Sequence, residues 1–493
     1  MFALFSSMMP PFNALRVLND AQSQSNITVT YAGNGEIQST GANPMGRESN
    51  ERTYGSLKDG DKISDKHKRE LGRIRSSPTF RLGTLFTTSA EKPWRLLWLP
   101  FSILMLLVQV VRERVGATPR YSNSEPFSGE SEQSNCIVFF PTNGVGLGHF
   151  TRLLSIARRM KKADPNMEAV FFTTSPTLHL LREDGFAAYH LPGRKEFSNM
   201  EASTWNSITE EMLSNVIAIH RPKAFLFDGS YPYRGMLNAI MRRDDILRIW
   251  IRRGSFKKNA PNVPMDSLDI FDYLIRPGDS VEPNSDVDET NNPTIHCDPV
   301  VLLDDEDIVA SDVLKSRLGI PEDEIVAYVQ LGAGNINDIS SDISIILGVL
   351  HDAGVWAVIG ESLLGSRVEI SDFPNVRILR DYPNSRYFSS FDFGVISGGY
   401  NSFHEAIMFS LPCICIPNSK TGMDDQLARA KVAEDAGFML VEENVTRPRM
   451  KNLVSNIVDS EYRQRMVESG NSLRKPNGAS QVADHLSRLI FKD

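Results

Sequence analysis

Two successive series of short apolar segments, separated by helix-like stretches, restrict this chain more than any other feature. The first series runs through Cys136 to Pro141, Ala169 to Phe172, Ala224 to Phe227, Ile246 to Ile251 and Tyr273 to Ile275. The second runs through Ile325 to Leu331, Trp356 to Ile359, Val376 to Leu379, Phe393 to Ile396 and Cys413 to Ile416. Helical patterns lie between them, among them Leu153, Leu154, Ile156 and Ala157, and the amphipathic stretch from Thr204 to Ile219. A strand that is apolar throughout is buried on both faces, and parallel strands need a crossover helix. The expectation is α/β, with two parallel sheets covered by helices. A polar, acidic stretch from Pro277 to Thr294 interrupts the pattern, and Asp298 to Asp307 leads into the second series. Domains are therefore expected at 135–307 and 308–478, with 479–493 a C-terminal helix packing back on the first. Ligands of such sheets bind beyond the carboxyl ends of the strands, so the cleft between two facing sheets is the expected site.

Residues 1–134 read as an N-terminal extension. The first 65 are rich in Ser, Asn, Gly and Thr and are expected to be mostly disordered. Basic residues gather from Lys58 to Arg81, and then Pro93 to Pro100 carries Trp94 and Trp98 into the apolar run Phe101 to Val111. From Leu96 to Val111 is 16 residues, roughly 24 Å as a helix against a hydrocarbon core of about 30 Å. A span would also export the basic segment, against the positive-inside tendency. The reading is a helix over 94–112 lying in the membrane interface, with a true span and a helix packed on the protein's own surface as open alternatives.

Composition narrows the function classes. The chain of 493 residues is 41% hydrophobic and 23% charged, with net charge -8, which suits a soluble protein and argues against nucleic acid as a partner. The four cysteines, 136, 297, 413 and 415, have no metal-ligand spacing and read as buried thiols of a reducing, cytoplasmic compartment.

Three strand-end segments carry the chemistry. In Phe393 to Glu405 a buried strand ends at Gly398-Gly399, and a helix is expected to open at Asn401 or Ser402. Glycines let a phosphate approach the backbone, and the free N–H groups of a helix start favour a diphosphate. Glu405, one turn in, has the reach to accept hydrogen bonds from both hydroxyls of a ribose. Asp424, Asp425 and Gln426 follow the next strand, where Asp and Gln could bind sugar hydroxyls or simply cap a helix. In the first domain, Gly144, Gly146 and Gly148 alternate before His149 and Arg152, a spacing that fits neither a dinucleotide nor a nucleoside-triphosphate loop. A helix start there would favour the neutral imidazole of His149. Asp228 ends another strand, and Arg252, Arg253, Lys257 and Lys258 could face an anionic acceptor.

The linked segments Gly398-Gly399-Tyr400-Asn401-Ser402-Phe403-His404-Glu405, Leu411-Pro412 and Asp425-Gln426-Leu427-Ala428-Arg429-Ala430 resemble the donor half of GT-B glycosyltransferases. They look most like family 28, which includes the bacterial enzyme adding N-acetylglucosamine to lipid I, and more distantly like UDP-glucuronosyltransferases. Ser410 stands where that family has Gly, and Arg429 where it has Asn. The resemblance implies GT-B architecture, with two Rossmann-like domains facing across a cleft. It implies that Gly399, Tyr400, Asn401 and Ser402 meet the diphosphate, Glu405 the ribose, and Asp425 and Gln426 the donor sugar. Asp381 and Tyr382 fall where such enzymes hold the base, and Gly332 and Gly334 at the first close-approach turn of that domain.

The Gly-His-x-x-Arg string is similar to the N-terminal loop of the same transferases and of related nucleotide-sugar hydrolases. This makes His149 the candidate general base, with Asp228 its orienter, for direct displacement on a UDP-hexose by an acceptor hydroxyl. That route inverts the anomeric carbon and needs no cofactor beyond the UDP-sugar co-substrate. The acidic pairs Asp304-Asp305 and Asp424-Asp425 lack the context of a metal signature, so no metal is expected. The acceptor is expected to be lipid-linked or membrane-proximal, at the inner face of the cell membrane. A nucleotide-sugar hydrolase or epimerase, and a non-catalytic nucleotide-sugar-binding protein, are the alternatives.

Overall fold

A computed structural model describes residues 29–30, 77–91, 93–114, 133–142, 146–241, 243–253, 265–281, 292–332, 340–361, 373–421 and 424–491. Gly144, Lys257, Lys258, Gly334 and the basic run 58–75 lie outside the described residues. Two compact units are present. One comprises the described parts of Met1–Glu36, Gln133–Gly193 and His220–Asp493, the other those of Ile37–Glu132 and Arg194–Ile219.

The first unit holds both sheets. The strands of one are β1 (Val29–Thr30), β2 (Cys136–Pro141), β3 (Glu168–Thr173), β4 (Ala187–His190), β5 (Ala224–Asp228), β6 (Leu247–Ile251), β7 (Tyr273–Pro277) and β8 (Thr294–Cys297), in the order β1-β4-β3-β2-β5-β6-β7-β8. All neighbours are parallel except β1 on β4. Thus Val29–Thr30, in a stretch expected to be disordered, pairs with β4, whose outer N–H and C=O groups would otherwise lack sheet partners. The second sheet joins β9 (Val326–Gln330), β10 (Trp356–Gly360), β11 (Val376–Leu379), β12 (Phe393–Ile396), β13 (Cys413–Cys415) and β14 (Met439–Val441) in the all-parallel order β11-β10-β9-β12-β13-β14.

Both sheets reverse direction once. In the first, the chain moves outward from β2 through β3 to β4, then returns to place β5 on the other side of β2. In the second, β12 returns beside β9 in the same way. The helices after β2 and β5, or after β9 and β12, consequently diverge and leave a crevice at the carboxyl ends. The first core is built from β2, β3, β5 and β6 together with the Gly148–Ala163 helix. The C-terminal Gly478–Phe491 helix joins it through Ala479, Val482, Ala483 and Leu486. Gly478 is required there, because a Cβ would lie 1.9 Å from the Asp298 carbonyl oxygen.

In the second unit, the Pro78–Glu91 and Leu99–Arg114 helices pack together around a 3-10 turn at Pro93–Trp98. One face of the longer helix and its lead-in stays bare: Leu97, Trp98, Phe101, Leu104, Met105 and Val108 are exposed. Their spacing of three and four residues makes a single apolar stripe. Among the described residues no helix is long and apolar enough to cross a membrane. The Ala202–His220 helix buries Trp205, Leu213, Val216 and Ile217.

Candidate active site

Asp228 closes β5, next to the end of β2, and its side chain is fully buried. The Gly148–Ala163 helix starts immediately after β2 and turns His149 and Arg152, one turn apart, onto that carboxylate. His149 Nδ1 lies 2.7 Å from Asp228 Oδ1. Arg152 donates through Nε to Oδ2 at 2.9 Å and through Nη2 to Oδ1 at 2.6 Å. Burial opposes charge on Asp228, but Arg152 and His149 outweigh it and hold the carboxyl below its usual range. Arg152 Nη2 also comes within 2.9 Å of His149 Nδ1. A carboxylate only accepts and a guanidinium only donates, so Nδ1 serves one of the two. The shorter contact, to Asp228, favours the Nδ1–H form, which leaves the lone pair on Nε2. Burial lowers the His149 pKa against the pull of Asp228, with Arg152 and Arg253 adding to the effect, so the imidazole is neutral. The result is a neutral base with fixed tautomer, its side chain 21% exposed.

The turn after β12 answers it from the other sheet. The Tyr400–Met408 helix begins one residue before the expected Asn401 or two before Ser402; Gly399 is its N-cap, and no side chain caps it. Its first N–H groups are thus left without a side-chain acceptor. Phe403 N–H already donates to the Gly399 carbonyl at 2.9 Å, which explains the early start. The Gly148–Ala163 helix likewise has no side-chain cap. The two helix starts meet: a Cβ on Gly148 would lie 4.0 Å from Asn401 Oδ1. That oxygen is buried and has no hydrogen-bond partner. Ser402 Oγ donates to Gln330 Oε1 at the end of β9 at 3.2 Å. Burial pushes the Glu405 carboxyl up to about 7, with Ser385 opposing.

The sequence matches no family model and no curated protein. Solved structures do match. The chain is similar to the glycotransferase of kitacinnamycin, with TM-score 0.52 and 16% identity over 73% of this chain and 100% of that one. It is similar to spinosyn forosaminyltransferase, with TM-score 0.51 and 12% identity over 73% and 100%. It is also similar to UDP-glucose: anthocyanidin 3-O-glucosyltransferase in complex with UDP, with TM-score 0.51 and 14% identity over 74% and 100%. The fold is GT-B.

Within this GT-B frame the sequence-derived candidates divide into two groups. His149, Asp228, Gly148, Gly399, Asn401 and Ser402 converge on the two helix starts described above, and Glu405 lies in the second turn of the Tyr400–Met408 helix, beside Ser385. Gly332 opens the turn after β9 with φ of 93°, in the left-handed region that favours glycine. The remaining side chains have partners elsewhere. Asp425 caps the Gln426–Asp435 helix by accepting from Ala428 N–H at 3.0 Å. Gln426 Oε1 accepts from Asn418 N–H at 2.9 Å, so that oxygen is not turned toward a sugar. Gly398 is small for a packing reason, since a Cβ would come 3.0 Å from Gln426 Cβ. The Tyr400 hydroxyl donates to the Gly278 carbonyl and accepts from Val300 N–H, both at 3.0 Å. Asp381 accepts from Arg317 Nη1 and the Tyr387 hydroxyl, both at 2.6 Å. Tyr382 pairs its hydroxyl with Thr151 Oγ1 at 2.5 Å. Any base contact at these two positions is left to the backbone.

Sequence reasoning missed a buried ion network beside the turn. Arg429, at the position where family 28 has Asn, reaches Asp279 and Asp424, and Arg253 joins them. Burial opposes charge on Asp279, but His404 and Arg429 hold its carboxyl well below the usual range. Asp279 sits in the polar stretch after β7, where nothing in the local pattern sets it apart. Arg152 is the ion-pair partner of Asp228, and Arg252 is buried with its guanidinium 5.4 Å from the centre of the Trp250 ring. The Cys136, Glu168 and His220 group, which could hold a metal ion, lies at the opposite, amino end of β2 and β3. Replacing Asp228 with Ala strands the buried Arg152 charge and is expected to cost about 3–5 kcal/mol. His149→Ala leaves the Arg152–Asp228 pair intact and should cost far less; chemical denaturation of both variants checks the contrast.

Proposed function

We propose that this chain is a glycosyltransferase that moves a hexosyl group from a UDP-sugar to an acceptor hydroxyl with inversion at the anomeric carbon. The observation that carries the reading is the meeting of a neutral, Asp228-oriented His149 with two helix starts that no side chain caps. Two positive helix ends at one point suit a nucleoside diphosphate. A neutral imidazole beside them suits proton removal from a hydroxyl.

In this reading the acceptor oxygen attacks the anomeric carbon as its proton passes to His149 Nε2. The bond from that carbon to the β-phosphate oxygen breaks, and its electron pair leaves with UDP. N–H groups of Tyr400, Asn401 and Ser402 meet the growing charge, with no bound metal required for that part. Asp228 stabilises the imidazolium that forms. On the same reading Asn401 Oδ1, which has no partner within the protein, accepts a hydrogen bond from the nucleotide-sugar, and Glu405 accepts from the ribose. Asp425 and Gln426 could turn to the sugar only by giving up their bonds to Ala428 and Asn418.

Full-length protein incubated with UDP-sugars and without acceptor tests the class. Rapid, complete hydrolysis or epimerisation would replace transfer as the conclusion. Given a turnover-competent donor and acceptor, His149→Ala should lower kcat by about 10²–10⁴-fold while UDP still raises the melting temperature. Unchanged turnover would remove His149 from the mechanism.

Ribose binding should also be linked to protons. Glu405 starts near 7, and hydroxyl donors favour its charged form, so binding releases a proton. UDP affinity of the wild type should therefore rise from about pH 6 to about pH 8 more steeply than that of Glu405→Gln. Calorimetric titration across pH reads the difference.

A lipid-linked or membrane-proximal acceptor, reached by a cytoplasmic protein at the inner face of the cell membrane, completes the reading. Its support is the bare stripe from Leu97 to Val108, with Trp94 and Trp98 at one end and Arg112 and Arg114 at the other. Such a helix lies in the interface with its cations near anionic headgroups. Full-length protein should co-sediment with vesicles of phosphatidylcholine and phosphatidylserine, and Trp98→Glu with Phe101→Glu should keep it in the supernatant. Wild type that stays in the supernatant would refute the contact.

A further inference from the structure

Arg429 was conspicuous in the sequence as a departure from family 28, in a segment whose neighbours were expected to bind sugar. Its side chain is fully buried, so it touches no solvent-borne ligand. It donates through Nε and Nη2 to Asp279 Oδ1 and Oδ2 at 2.8 and 2.7 Å. Nη2 also donates to Asp424 Oδ1 at 2.6 Å, and Nη1 to Asp424 Oδ2 at 3.3 Å. The decisive contact is the last: Nη1 donates to the Gly398 carbonyl at 2.7 Å. Gly398 lies in the turn that leads directly into the Tyr400–Met408 helix.

Arg253 and His404 also face this cluster, and Arg152 lies within electrostatic reach of Asp424. Arg253 Nη1 is 3.3 Å from Asp279 Oδ2 and 3.4 Å from Asp424 Oδ1. His404 Nε2 is 3.4 Å from Asp279 Oδ1, and burial keeps that imidazole neutral. Two guanidinium groups therefore balance two carboxylates. A shorter Asn could donate only two hydrogen bonds and could not serve both carboxylates and the carbonyl together. Asp279 immediately follows Gly278, whose carbonyl accepts from the Tyr400 hydroxyl. Residues 278 and 279, just past β7, thus grip the turn after β12 twice, once through Tyr400 and once through Arg429.

We propose that Arg429 is a positioning residue: by holding the Gly398 carbonyl while anchored on Asp279, it aims the first N–H groups of the Tyr400–Met408 helix at the nucleoside diphosphate. The bland account is a buried ion network that only holds the fold together. The two differ in what they predict for a folded variant. An anchor for the turn alters the geometry of ligand binding even when the fold survives, whereas a mere brace alters stability alone. This proposal rests on the reading of that turn as the diphosphate site.

The test replaces the ion pair by amides, in Asp279→Asn with Arg429→Gln, and titrates full-length wild type and variant with UDP well below the variant's melting temperature. Arg447→Ala, which removes only an exposed pair with Asp352, is the control. Folded double variant should bind UDP about tenfold or more weakly, with the control unmoved. A lower melting temperature with unchanged UDP affinity would overturn the proposal. Should the double variant fail to fold, Asp279→Asn alone keeps the Arg429–Asp424 contact and is read by the same titration. A severalfold weaker affinity supports the anchor, and an unchanged one overturns it. Wild type that does not bind UDP at all would instead bring down the reading of the turn, and this proposal with it.

Discussion

Consecutive parallel strands need crossover connections over a face of the sheet, and the order in which the crossovers are laid down leaves one divergence per sheet. The divergences fall between β2 and β5 and between β9 and β12. His149, Asp228, Gln330, Gly398 and Ser402 all belong to those strand ends or to the helix starts beside them. The site follows from strand order more than from any single motif.

Charge then decides how the site is held. Around the Tyr400 ring, Arg253, Arg152 and Arg429 lie 4.4, 5.5 and 5.9 Å from the centroid. Each guanidinium is matched to carboxylates: Arg152 to Asp228, Arg429 and Arg253 to Asp279 and Asp424. Buried pairs of this kind add little net stability over an apolar core, because desolvation offsets the attraction. What they do supply is geometry, since breaking one partner leaves a stranded charge. The two histidines in the cluster stay neutral for the same reason, and His149 thereby keeps the lone pair that its proposed role needs.

Much of this was visible in the chain of letters. Runs such as Val138 to Phe140 or Val395 and Ile396 are apolar enough to be read as central strands. Glycine pairs followed by Asn and Ser mark a strand-to-helix turn. Other elements escaped: His190 and His296 interrupt the apolar pattern in β4 and β8, and β14, as short as β13, was not read from the chain. Ser410 is instructive in another way. Its φ of 55° lies in the left-handed region, where the glycine of the family 28 pattern would sit without strain and a serine costs backbone strain.

By itself the sequence determined the α/β class, the two sheets, the strand-end location of the motifs and the residue types available at them. Those follow from local pattern, because burial of a strand or the start of a helix depends on neighbours in the chain. Only tertiary structure decided which side chains remain free for a ligand. Gln426, Asp425 and the hydroxyl of Tyr400 turned out to be hydrogen-bonded within the protein, whereas Asn401 Oδ1 was left unpaired. It also decided that Arg429 serves Gly398 and Asp279, which is 150 residues away in the chain. A hydrogen bond is made with whatever the fold brings within 3 Å or so, and no local pattern encodes that partner.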